Sequence, residues 1–254
     1  MEDSIRSRLP AILLFLMGLV FWQFIVGALE VPRYILPAPT TILERIWLER
    51  LMLIDNLRAT MLAAVIGFAI GVAAALALGT LFLYSKTAEK ALMPWTIVIK
   101  TIPALAIAPL LTIWLGFGLA PKVAIAAIAS FFPILVNFHR GLGSISSEIG
   151  ELLDLLGAST AQSLLKVRLF ASLPFTFAAF KISSGAAVLA AIVAEFTGAN
   201  RGIGTLIVTS GYQQDAVMLF AAIIVSCAAT ILFYYLVVIA ERVCLYWPDA
   251  VMRT

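Results

Sequence analysis

Gly150-Glu151-Leu152-Leu153-Asp154-Leu155-Leu156-Gly157-Ala158-Ser159, continuing through Lys166 and Arg168 to Leu173-Pro174, is the longest polar interruption in the second half of a very apolar chain. Its spacing predicts two short helices. From about Ser146 to Leu156, the side chains of Ile149, Leu152, Leu153 and Leu156 share one face, and Glu148, Glu151 and Asp154 share the other. Gly157 suits the left-handed turn that commonly ends a helix. Ser159 stands as N-cap of a second piece carrying Leu164, Leu165, Val167 and Leu169, with Pro174 marking the start of the next apolar run. Two short amphipathic helices joined at a glycine, set between membrane spans, offer a compact apolar surface to a soluble partner.

Outward from this stretch the chain is dominated by apolar runs. Of its 254 residues, 63% are hydrophobic and only 12% charged, which excludes an ordinary soluble domain. Six runs are long enough to cross a hydrocarbon core roughly 30 Å thick. They lie at about Pro10–Leu29, Ala59–Leu83, Ala91–Leu115, Lys122–Phe138, Phe175–Ala194 and Ala216–Ala240. The expected fold is therefore all-α and polytopic, a single transmembrane domain over residues 1–254. Its core is expected at about 57–240, and the polar loop at about 144–174. No GxxxxGK[ST] loop is present, so ATP hydrolysis is not expected of this chain. A net charge of +3 without a basic cluster argues against a nucleic-acid partner. Cys227 and Cys244 do not suggest a disulfide framework, and no residue is assigned to metal binding or catalysis.

Between the runs, further features carry expectations. Pro10–Leu29 reads as an uncleaved span rather than a signal peptide, since Glu30-Val31-Pro32-Arg33 follows it without a small-residue cleavage site. Thr40 is read as the cap of an amphipathic helix holding Ile42, Ile46, Trp47 and Leu51, either lying on the membrane surface or simply connecting spans. Gly67 and Gly71 form a small-xxx-small pair that serves either packing within the bundle or a subunit interface. The third run contains Lys100, Pro103 and Pro109, which are costly unless they face protein or a water-filled cavity. Glu195 to Asp215 reads as a Gly-rich loop.

Counting basic residues orients the six spans. With the N-terminus inside, nine fall in inner segments (Arg6, Arg8, Lys86, Lys90, Arg140, Lys166, Arg168, Arg242 and Arg253) and six in outer ones (Arg33, Arg45, Arg50, Arg58, Lys122 and Arg201). The positive-inside rule then puts both termini, and the Glu151–Pro174 stretch, in the cytoplasm.

The polar stretch resembles the cytoplasmic coupling motif of ABC-type importer permeases, which opens Glu-Ala-Ala, has Gly six residues after the Glu and ends near Leu-Pro. Glu151 and Gly157 stand at that separation and Ala158-Ser159 follow, while Leu152 and Leu153 replace the two alanines and Phe170 the first proline. Leu36-Pro37-Ala38-Pro39-Thr40, Lys100-Thr101-Ile102-Pro103, Pro109 with Trp114-Leu115-Gly116-Phe117-Gly118, and Ala194-Glu195-Phe196 with Gly198, Gly202 and Gly204 resemble the nitrate/sulfonate/taurine branch, in order over roughly residues 30 to 210.

The resemblance implies a type I importer permease in the inner membrane. It implies a second permease copy as partner, two cytoplasmic ATPase subunits that bind the ATP and magnesium, an extracytoplasmic solute-binding protein and surrounding lipid. No cofactor is expected in this chain. Glu151, Leu152, Leu153, Asp154, Leu156, Gly157, Ala158 and Ser159 would dock the ATPase. Lys100, Thr101, Ser183, Ser184 and Glu195 would line the translocation pathway. For Lys100 a structural pairing is the alternative, and for Glu195 a brace of the Gly198–Gly204 loop. His139 is read as an interfacial anchor and Lys181 as a snorkelling residue. The substrate class implied is a small anion (nitrate, sulfonate, taurine or bicarbonate-like) or a heterocycle (a thiamine-pyrimidine precursor or riboflavin-like). Val193-Ala194-Glu195-Phe196 and Glu241-Arg242 before Trp247 look closer to the heterocycle group. A stand-alone secondary transporter and a membrane scaffold subunit are the competing readings.

Overall fold

A computed structural model of the chain describes residues 2–245, so Trp247 of the tail and Arg253 of the charge count lie outside the described residues. The described residues form helices and connecting turns, with no strand among them. In chain order the helices are α1 (Glu2–Ala28), α2 (Pro39–Leu48), α3 (Arg50–Tyr84), α4 (Lys86–Thr101), α5 (Ala104–Leu115), α6 (Leu119–Leu142), α7 (Ser147–Leu155), α8 (Thr160–Ser163), α9 (Leu169–Glu195), α10 (Ile203–Tyr212) and α11 (Ala216–Cys244). A π-helical turn, Leu164–Arg168, joins α8 to α9 without a break.

Five helices are long and apolar enough to cross a membrane, and α4 with α5 make a sixth only as a pair bent by 98°. The third run is thus not the continuous span that its composition suggests. The break follows from Pro103, which lacks a donor and pushes Ile102 out of the helical region, to φ −69° and ψ 121°. Between α3 and α4 the break is the single residue Ser85, which caps α4 by accepting from the Ala88 amide.

The centre of the molecule is the packing of α6 against α3 and α9. Gly67 and Gly71 serve this packing within the chain. A Cβ on Gly67 would meet Ala126 and the Val123 carbonyl, and one on Gly71 would meet Ser130, so the two helices approach as closely as glycine allows. Ala63, Ala64, Phe177, Val188, Ala191, Ile192, Phe233 and Val237 form the largest core cluster, where Phe68 meets Phe180 and Phe233 edge-to-face. α1 lies apart, with only 6% of its apolar window buried. It is held to the rest mainly through Trp22 against Phe220 and through Gln23, whose side-chain oxygen accepts from the Thr40 amide and hydroxyl.

Several boundaries differ from the expected ones. Thr40 is not the cap of α2, which begins at Pro39, because proline supplies the fixed φ suited to a first helical position. α3 starts at Arg50, nine residues before the expected span, since nothing from Arg50 to Arg58 breaks a helix. Pro174 lies inside the continuous Thr160–Glu195 helix rather than at its start. The region from Glu195 to Asp215 is not all loop, for α10 occupies Ile203–Tyr212 within it.

Candidate functional site

Two polar constructions stand at opposite ends of the bundle. One is the loop between α6 and α9. Ser146 caps α7 by accepting from the Ile149 amide, and its hydroxyl also holds the Glu148 carboxyl below its ordinary pKa. Gly157 ends the turn at φ +63°, with the Ala158 amide returning to the Leu153 carbonyl. Ser159 then starts the next helix through a full capping box with Gln162, at 2.8 Å and 3.3 Å. Arg168 fastens the loop to the bundle, its Nε donating to Ser163 Oγ and its Nη1 to the Leu142 carbonyl, both at 3.0 Å.

The helical phase of α7 differs from the expected face in one respect. Leu153 turns inward to a small cavity of about 220 Å³ that it lines with Leu83, Asp154 and Arg168. Leu155, absent from the expected set, is the most outward at 86% exposed, alongside Leu152 and Leu156. Glu151, Asp154, Gly157 and Ser159 are exposed as well, with Ala158 half-buried. No buried residue lies on α7. The loop is therefore an apolar ridge, firmly capped at both ends and uncovered by the other described residues.

The other construction is closed. Glu195, the last residue of α9, is 1% exposed. Its carboxylate accepts from Lys122 Nζ at 3.1 Å, from the Thr60 hydroxyl at 2.9 and 3.0 Å, and from the Gly204 amide at 2.7 Å. Thr60 accepts in turn from the Ile203 amide and Asn56 from the Gly202 amide, while Lys122 also donates to the Arg201 carbonyl. The free amides at the start of α10 are thereby satisfied by side chains from α3 and α9, with the carboxylate at the positive end of the helix dipole. Of the two roles open to Glu195 in sequence, this geometry is that of the brace. Asn56, Thr60 and Lys122 were not singled out by sequence reasoning. The available signal was a lysine and a glutamate of opposite sign at the same end of neighbouring spans.

The remaining expected site residues do not converge. Ser183 and Ser184 are fully buried, donating to the Ser130 and Lys181 carbonyls. Their burial follows from the close packing of α6 against α9. Lys100 and Thr101 are exposed and line a cavity of about 380 Å³ at the α4–α5 bend. Lys181 is ion-paired. Its Nζ is held between both carboxylate oxygens of Glu241 at 2.9 Å. His139 Nε2 lies 2.9 Å from Glu89, which Lys86 also contacts. Among the described residues, no group of His, Cys, Asp or Glu side chains could hold a metal ion.

Residues 67–243 match the family described as binding-protein-dependent transport system inner membrane component. The chain belongs to this family. It is accordingly the membrane-spanning component of a transport system, and its relatives are permeases. It is 34% identical to the riboflavin transport system permease protein of Chloroflexus aurantiacus, over 94% of this chain and 89% of that one. It is 32% identical to the formylaminopyrimidine transport permease protein of Halalkalibacterium halodurans, over 89% and 90%. A putative aliphatic sulfonates transport permease protein of Bacillus subtilis is 30% identical, over 95% and 87%. The matched region of this binding-protein-dependent permease begins within α3, leaving α1 and α2 before it.

Proposed function

We propose that this permease forms the translocation pathway of an ATP-driven importer as one of two copies, most simply identical. Two cytoplasmic ATPase subunits, which bind ATP and magnesium, engage the ridge from Glu151 to Ser159. A solute-binding protein delivers substrate to the opposite end. The basic-residue count supports a cytoplasmic position for the ridge and for both termini. The substrate is a small anion or a heterocycle, classes supported by the names of the relatives.

The observation that carries this reading is the uncovered ridge of Leu152, Leu155 and Leu156 on a doubly capped loop. Each leucine gains about 1.5–3 kcal/mol when fully covered, and the caps keep the ridge in shape without a partner. Because the ridge joins α6 directly to α9, closure of the ATPases moves two of the most deeply packed helices together. Alternation of access at Lys100 and Thr101 follows from that movement. A secondary transporter driven by an ion relay is less well supported, since the buried carboxylate of Glu195 is fully committed to Lys122, Thr60 and Gly204.

Gly157→Asp tests the docking. Among the described residues, nothing beyond its chain neighbours lies within 4 Å of a Cβ at Gly157, so the variant carries only the strain of its positive φ and should insert and dimerise. Co-purification of the ATPase and substrate-stimulated ATP hydrolysis should both be lost. Normal values for both in this variant would refute docking at the ridge.

A further inference from the structure

Between α1 and α3 the short helix α2 is covered unequally on its two sides. At about 100° per residue, Ile42, Ile46, Leu43 and Trp47 form one apolar arc. Thr41, Glu44 and Arg45 lie on the other side, with Leu48 among them. The protein covers only half of the arc. Ile42 is fully buried and Ile46 half-buried against the cluster that contains Ile203, Met218 and Ala221. Leu43 and Trp47, the other half, are 63% and 69% exposed.

Two contacts set the level of α2 against the spans. The Thr40 amide and hydroxyl both donate to the Gln23 side-chain oxygen at 3.3 Å. Gln23 stands five residues before Ala28, the end of α1, or about 7.5 Å along the axis. Arg45 pairs at 3.0 Å with Asp215, the N-cap of α11. Since α1 and α11 are both long and apolar enough to cross a membrane, α2 lies across the ends of two spans instead of standing clear of them. The neighbouring α1 is itself almost uncovered, so the exposed half of the arc adjoins a helix surface left to acyl chains.

The side chains at this place are those of a bilayer boundary. Trp47 presents a large amphipathic ring, the type enriched where headgroups meet acyl chains. The Arg50 guanidinium lies 4.9 Å from the centre of that ring, and its Nη1 donates to the Trp47 carbonyl at 2.8 Å. Among the described residues no carboxylate pairs with Arg50, which leaves its other N–H groups for a headgroup phosphate. From Glu30 to Arg50, Glu30, Glu44 and Glu49 balance Arg33, Arg45 and Arg50. An anionic headgroup therefore gains nothing here over a zwitterionic one.

We propose that α2 lies in the bilayer surface at the end of the bundle away from the ridge. Leu43 and Trp47 seat in phospholipid at the boundary of headgroups and acyl chains, with Arg50 at the phosphates, and zwitterionic headgroups suffice. Because α1 is held to the bundle mainly through Trp22, Gln23 and Thr40, this seat also sets the height at which α1 stands beside it.

The test uses the full-length permease in phosphatidylcholine nanodiscs, with Cys227 and Cys244 replaced by serine. A nitroxide is attached at Leu43→Cys or at Glu44→Cys, and its collisions with oxygen and with a water-soluble nickel chelate report its depth. The label at position 43 should sit about 5–10 Å into the headgroup and acyl boundary, and the label at position 44 in water. Adding phosphatidylglycerol should shift neither. Equal exposure of the two labels to the chelate would overturn the seating. So would a label at position 43 shielded from oxygen and chelate alike, the sign of a second copy or another protein over the arc. Entry of that label into lipid only with phosphatidylglycerol would overturn the zwitterionic seat. A second measurement needs no cysteine. Brominated phosphatidylcholine should quench part of the tryptophan emission of the unaltered permease, and the quenched part should be smaller in Trp47→Phe. Quenching unchanged in that variant would also refute the seat.

Discussion

Gly157 and Gly202 both have positive φ, +63° and +143°, yet they stand in opposite surroundings. Around Gly157 there is nothing for a side chain to meet. At Gly202 a Cβ would fall on the Glu195 carboxylate, and at Gly204 it would press on the Ile192 carbonyl and the same glutamate. One glycine supplies a backbone shape at an exposed surface. The other supplies room for a buried ion pair to close over a helix N-terminus. The same residue type therefore marks an exposed ridge, proposed above to dock a partner, at one end of the bundle and an internal clamp at the other. The difference is visible only from what surrounds each.

The sharpest way to break this contrast is at the clamp. Glu195→Ala should cost the largest stability, about 3–5 kcal/mol, because it leaves the Lys122 charge buried without its partner. Thermal unfolding of the purified permease in mild detergent would show it, and a melting point close to wild type would mean that the clamp contributes little. The matched pair Gly202→Ala and Gly157→Ala comes next. The first should cost about 3 kcal/mol through overpacking added to strain, and the second about 1 kcal/mol of strain alone. Equal losses in the same melting assay would erase the distinction between them. The smallest effect should come from Glu241→Gln, which removes a pair whose side chains keep 25% and 20% of their exposure. About 1 kcal/mol or less is expected, diminishing with salt. A loss as large as that of Glu195→Ala would mean that partial exposure does not separate the two pairs.

The ridge was more legible in sequence than the clamp for a physical reason. Capping and turn chemistry act over three or four residues, so Gly157 and Ser159 could each be placed by local spacing, as the structure places them. Helical phase is a weaker guide over nine residues. The sequence face that included Leu153 and left out Leu155 was off by part of a turn. The clamp joins residues 56, 60, 122, 195, 202 and 204, and no local rule brings these together. Glu195 could be noticed alone, but its role was open until its partners were known. Likewise Pro103 announced trouble in the third run, while the 98° bend and the cavity beside it depend on how α4 and α5 settle against α6. For Ser183 and Ser184 the sequence shows only polar groups within a span, and the backbone carbonyls that each donates to could not be read from local spacing.

From Thr160 to Glu195 the backbone is one uninterrupted helical piece, about 54 Å long at 1.5 Å per residue. Its first residue follows the capped serine of the ridge and its last is the glutamate of the clamp. In mechanical terms it is a connecting rod. Stiff along its axis, it must pass most of a push on the ridge to the far face of the bundle. Its irregular joints are the π-helical turn at Leu164–Arg168 and Pro174, both in the half nearer the ridge. Any lost motion between the two ends has to be taken up there.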